Sequence, residues 1–133
     1  MSFKILSPVL PQVLLDNPTM KTWLAKSMQG NPFSCSEKEL IYAIYSRKSI
    51  VWTWGEGILI TTLEQLGEHS VCSVSNVVGK NYMRYLDKID HDVTMYAKAH
   101  GAKFLVGEVP SMALVRAYEK RGARTLHRVV REI

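Results

Sequence analysis

Between Pro110 and Val129 the sequence reads PSMALVRAYEKRGARTLHRV, with Tyr118 four residues before Gly122. A phenol, with a pKa of about 10, can act as a general acid where a departing group needs a proton. The commoner use of such a tyrosine is packing, with the ring on a sheet and the hydroxyl in water. Carboxylates able to take up a proton are Glu56, Glu64, Glu68 and Glu108. The first three fall in turns or at strand ends, where solvated carboxylates are the norm, whereas Glu108 falls late in a strand. His69, His91, His100 and His127 show no HxxxH or Cys/His spacing, so no metal centre is expected. Cys35 and Cys72 form no CxxC pair, which predicts reduced thiols, with Cys72 acting as a small apolar strand residue. Gly79, followed by Lys80 and Asn81, stands just ahead of a helical run. Exposed amides at a helix start can bind an anion, but a lone glycine there equally reads as a plain turn.

These residues must be positioned by regular elements. Residues 3–8 predict a short strand, and apolar spacing predicts two helices at 10–16 and 18–28, separated because Asn17 precedes Pro18. ELIYAIYS, SIVWTW, ILITTL and SVCSVSNVV then read as strands of an antiparallel meander, the serine-rich last one irregular or bulged. Trp52 and Trp54 share one face of their strand and read as core or as a ligand wall. From residue 80 the period changes: Tyr82, Leu86, Ile89, Val93 and Tyr96 lie on one face of a helix over 80–100 that Gly101 ends. AKFLVGEV reads as a buried strand. Pro110 and Ser111 open a last helix, with Ser111 as its cap, and Gly122 closes it before a final strand, RTLHRVVREI.

The resulting expectation is a single α+β domain, 1–133, of three layers (α/β). It has a mixed central sheet, with three or four strands in the meander, and the order β-α-α-β-β-β-α-β-α-β when three are counted. With 47% apolar and 22% charged residues, the chain has the balance of a soluble globular protein. No run approaches the about 18 apolar residues of a membrane span, and the N-terminus does not read as a signal peptide, so a cytoplasmic setting is expected. The net charge of +5 comes from scattered basic residues, densest from Arg116 to Arg131. An anionic partner would suit this surface. Nucleic acid is not expected, because no recognition helix with aligned base-reading side chains stands out.

The element order resembles that of the GCN5-related N-acetyltransferase (GNAT) superfamily. That family often carries a strand, then Asn-x-x-Ala-x-x-x-Tyr-x-x-x-Gly-Phe, then a strand. SMALVRAYEKRGA keeps Tyr118 and Gly122 in register, with Lys120 between them, and departs at Ser111, Leu114 and Ala123. The resemblance implies acetyl-CoA as cofactor, an amine as co-substrate, and Tyr118 as the acid that protonates the departing thiolate. It implies Glu108 as a base. A cofactor site would be built from Val74, Asn76, Val77, Gly79, Lys80 and Asn81, with backbone amides near Val74 to Asn76 holding the oxyanion.

The family's pyrophosphate loop, Arg/Gln-x-x-Gly-x-Gly/Ala, is only partly kept in NVVGKNYMRYL. Gly79 is present, Asn76 stands where Arg or Gln would, and Asn81 or Tyr82 replaces the second glycine. A bulky side chain there can fill the site. The chain also looks like small internal virion proteins of short-tailed phages, similar in length and in strand-to-long-helix order. That resemblance implies an inactive GNAT fold with a structural or host-factor-binding role, located in the virion or the host cytoplasm.

Overall fold

A computed structural model describes residues 7–28, 36–107, 112–126 and 131–133. The elements are β1 (Ser7–Val9), α1 (Pro11–Asp16), α2 (Pro18–Ser27), α3 (Glu37–Tyr45), β2 (Ser49–Thr53), β3 (Gly57–Leu66) and β4 (His69–Gly79). They continue with a 3-10 turn (Met83–Tyr85), α4 (Leu86–Ala99), β5 (Phe104–Gly107) and α5 (Met112–Glu119).

The sheet runs in the order β1-β2-β3-β4-β5. The first four strands pair antiparallel, and β4 and β5 pair parallel through Val71–Val74 against Phe104–Gly107. The long helix α4 supplies the crossover that a parallel pair requires. Alternation along β2 and β3 sends side chains to opposite faces. Val51, Ile58 and Ile60 pack with Leu14, Leu24, Leu40 and Ile44 of α1–α3 on one side. Trp52, Trp54, Leu59 and Cys72 pack with Ile89, Val93 and Ala97 of α4 on the other. The sheet is thus the middle of three layers, as expected.

Three local expectations meet their outcome here. ELIYAIYS is the helix α3 and not a strand. The Ser36 side chain accepts the Glu39 amide as an N-cap, Glu37 and Glu39 sit in the positive first turn, and Leu40 and Ile44, four apart, are the buried pair. Tyr42, which a strand would put on one face with them, is 75% exposed. The serine-rich strand is bulged as expected: Ile58 pairs with Val78 but Ile60 with Ser75, so β4 holds one extra residue, and Asn76 takes a φ of 52°. The final strand is not found where it can be described: Ala123–Leu126 and Arg131–Ile133 have no strand assignment, and residues 127–130 lie outside the described residues. No described helix is long and apolar enough to cross a membrane.

Candidate active site at the head of α4 and the end of α5

The loop from β4 into α4 is clamped from below by the β2–β3 turn. Gly79, at φ 132°, lies against Gly57, and a Cβ on it would overlap the Gly57 Cα and the Glu56 carbonyl oxygen. This glycine is therefore required for backbone packing between β3 and β4, not for approach of a phosphate. The Lys80 amide donates to the Glu56 carbonyl at 2.9 Å, and Trp54 Nε1 donates to the Lys80 carbonyl at 2.8 Å. Asn81 holds the left-handed conformation, φ 62°, and its Nδ2 donates to Glu56 Oε1 at 2.9 Å.

Tyr82 turns inward from this loop. Its ring packs edge-on against Trp54, with centroids 5.4 Å apart, and its hydroxyl shares a hydrogen bond with the hydroxyl of Tyr118 on α5. The Asn81 and Tyr82 side chains are thus both tied back into the protein. Among the described residues, the amides of Asn81, Tyr82 and Met83 have no protein acceptor, while Lys80 and Arg84 beside them are exposed. Three consecutive unused donors at the head of a helix, flanked by two cations, fit a phosphate group.

Both phenols are half-buried, and their environments can be named. Burial is the main reason that the Tyr82 hydroxyl is pushed far above its ordinary range, and Tyr118 and Asp90 add to it. Tyr118 is also raised, first by burial; the Tyr82 hydrogen bond and the Arg121 guanidinium pull it down, and Asp90 pushes it up. Arg121 is held by α5 and α4 together, donating to the Ala117 carbonyl at 2.7 Å and through Nε to Asp87 Oδ1 at 3.0 Å. The chemical consequence is a phenol that keeps its proton at neutral pH, with a second hydroxyl placed to support the phenolate once that proton leaves.

The remaining expected site residues are scattered around this centre. Val74 packs against the α4-side core and makes the last described pair with β5, opposite Gly107. Asn76 points its side chain to α2, donating to Ser27 Oγ at 3.1 Å, so that side chain is directed away from α4. Val77 is exposed. Glu56 serves the loop as described, and Glu64 Oε2 accepts from Ser73 Oγ at 3.0 Å. Glu64 pairs with Val71 whereas Gly57 pairs with Gly79, which puts Glu64 seven residues, roughly 23 Å, along β3 from the loop. Glu108 and Ser111 lie outside the described residues. Cys72 is fully buried in the core, and burial pushes its thiol up to about 11. Trp52 and Trp54 prove to be core residues, and Trp54 is also the loop's anchor.

Sequence reasoning missed Tyr82 as the partner of Tyr118, and it missed Asp90 altogether. Tyr82 is visible in the sequence as an apolar-face position four before Leu86, but nothing local pairs it with a residue 36 positions on.

Comparison with solved structures puts this arrangement in context. A GCN5-related N-acetyltransferase from Ralstonia eutropha JMP134 superposes with a TM-score of 0.71 at 11% identity, over 96% of this chain and 97% of that one. An acetyltransferase from Trypanosoma brucei gives 0.64 at 18% identity, over 96% and 97%. The glucosamine-6-phosphate N-acetyltransferase of Arabidopsis thaliana gives 0.63 at 12% identity, over 96% of each chain. The fold is that of the GNAT acetyltransferases. No protein-family model matches the chain, and no curated protein does.

Proposed function

We propose that this acetyltransferase-fold chain is an N-acyltransferase that moves an acyl group, acetyl in the first instance, from a coenzyme A thioester to an amine. The observation that carries this is the half-buried Tyr118 hydroxyl, tied to Tyr82 beside three amides ahead of α4 that have no acceptor among the described residues. The amides of Asn81, Tyr82 and Met83, with Lys80 and Arg84, would hold the pyrophosphate. Bound acetyl-CoA supplies the thioester carbonyl and the thiolate leaving group.

The backbone of β4 from Val74, its last described pair with β5, through Asn76 to Val77 would face the acyl arm, and its amides near Val74 to Asn76 would stabilise the developing oxyanion. Tyr118 Oη gives its proton to the departing sulfur. Its raised pKa keeps it protonated at neutral pH, and its partner limits the cost of the phenolate. Glu108, next in sequence after the last residue of β5, is the carboxylate assigned to take up the amine's proton.

The test is a thermal-shift titration with acetyl-CoA, followed by thiol release with a panel of amines. Cofactor at 100 times its dissociation constant stabilises the fold by about 2.7 kcal/mol. Absence of any shift at millimolar acetyl-CoA refutes the assignment.

A second reading has one specific observation in its favour: Gly79 serves the β3–β4 contact, and Asn81 or Tyr82 stands where the family has a further glycine. On that reading the fold is kept without catalysis, as a structural or partner-binding protein of the kind found inside phage virions. The same titration separates the two, since the second reading requires no cofactor response.

A further inference from the structure

We propose that Tyr82 is a positioning residue for the acid: its hydroxyl, carried on the loop ahead of α4, holds the Tyr118 oxygen in place and donates to the phenolate that Tyr118 becomes when its proton leaves. This rests on the acyltransferase assignment, and it adds a residue that the GNAT loop pattern does not specify.

Geometry supports it from three sides. The Tyr82 ring is fixed by Trp54, whose own Nε1 is fixed by the Lys80 carbonyl, so the hydroxyl is delivered from a braced loop. Its partner is the Tyr118 hydroxyl, on a different helix. Arg121, within a turn of Tyr118 and anchored to Ala117 and Asp87, biases negative charge toward Tyr118, while Asp90 of α4 opposes charge on either phenol. In the resting pair either hydroxyl can donate. After Tyr118 has given up its proton, only Tyr82 can.

The step balances as follows. The amine nitrogen bonds to the thioester carbonyl carbon, the C–S bond breaks, and its electron pair leaves on sulfur. The Tyr118 proton goes to that sulfur, and the nitrogen's surplus proton goes to a base and thence to water. Tyr118 is then reprotonated from solvent. Tyr82 keeps its own proton throughout.

The experiment places 3,5-difluorotyrosine, a more acidic phenol that titrates while the fold persists, at position 118. Its phenolate absorbance is followed in the otherwise wild-type protein and in Tyr82→Phe, which keeps the ring on Trp54. Loss of one hydrogen bond to a charged oxygen predicts a midpoint about one to two pH units higher in Tyr82→Phe. With unlabelled protein, Tyr82→Phe lowers kcat by about 10- to 100-fold and leaves the KM for acetyl-CoA within about twofold. Midpoints that do not move overturn the proposal whatever the activity. Midpoints that move as expected in a protein that transfers no acyl group instead overturn the acyltransferase assignment, and with it the acid role that Tyr82 was to serve.

Discussion

Replacing Gly79 with alanine separates packing from cofactor binding. At φ 132° a side chain is disfavoured by the backbone itself, at about 1–3 kcal/mol. The added Cβ also overlaps two backbone atoms, the Gly57 Cα and the Glu56 carbonyl oxygen, and neither can swing aside as a flexible side chain does. Overpacking of this kind adds about 1–3 kcal/mol. The sum is about 4 kcal/mol, which for a chain of 133 residues corresponds to a melting temperature lower by roughly 10–20 °C. Urea denaturation of Gly79→Ala beside Gly67→Ala and Gly122→Ala measures it. The two controls also have positive φ, 59° and 91°, but open space where a Cβ would go, so they lose only about 1–2 kcal/mol. A Gly79→Ala protein as stable as these controls, yet unable to bind acetyl-CoA, would refute the reasoning: it would show that the glycine faces phosphate and not Gly57.

Four further outcomes are expected. Tyr118→Phe lowers turnover about 100-fold or more while the acetyl-CoA dissociation constant, read by calorimetry, changes little; equal activity removes the proposed acid. Because burial raises Tyr118, the acid stays protonated as pH climbs, so the kcat profile shows no decline assignable to Tyr118 below about pH 10; a limb near pH 8 that Tyr118→Phe abolishes contradicts this. The Cys72 thiol, moved from 9.0 to about 11, is thiolate in only about one molecule in a thousand at pH 8, so a Cys35→Ser protein resists a thiol reagent until it unfolds, and rapid native labelling counts against it. The same raised value gives the folded state a proton that the unfolded chain has lost: stability is intact below pH 9 and falls between about pH 9 and 11, by on the order of 2–3 kcal/mol for this group, and equilibrium unfolding of Cys72→Ala beside wild type across that range should show the shallower slope in the variant.

Much of the scaffold could be read locally. The three- and four-residue steps of Leu86, Ile89 and Val93 announced α4, Gly101 at φ 79° ended it, and the runs around Val51 and Leu59 announced two strands with opposite buried faces. The bulge in β4 was foreshadowed because neither face of SVCSVSNV is wholly apolar. Residues 37–45 were misread because isoleucine and tyrosine favour strands. The deciding features were the Ser36 cap and the burial of Leu40 with Ile44, and burial is settled by what lies opposite. The candidate site was half legible. Tyr118 was singled out from its spacing to Gly122, and the loop at Gly79 was located, but its glycine was assigned a choice of turn or phosphate cradle when its neighbour is Gly57.

What the sequence alone determined, then, is the long helix, the strands β2 to β4 and the place of the phenol, because periodicity, caps and glycine stops act over a few residues. Only the tertiary structure decided that Tyr82 faces Tyr118, that Asn81 and Tyr82 turn away from the open amides, and that Trp54 braces the loop. Those contacts join residues 25 to 36 positions apart. The Asn81 and Trp54 contacts arise because the β3–β4 pairing brings the β2–β3 turn against the loop, the Tyr82 contact because α5 meets that loop, and no local pattern in the chain encodes those meetings.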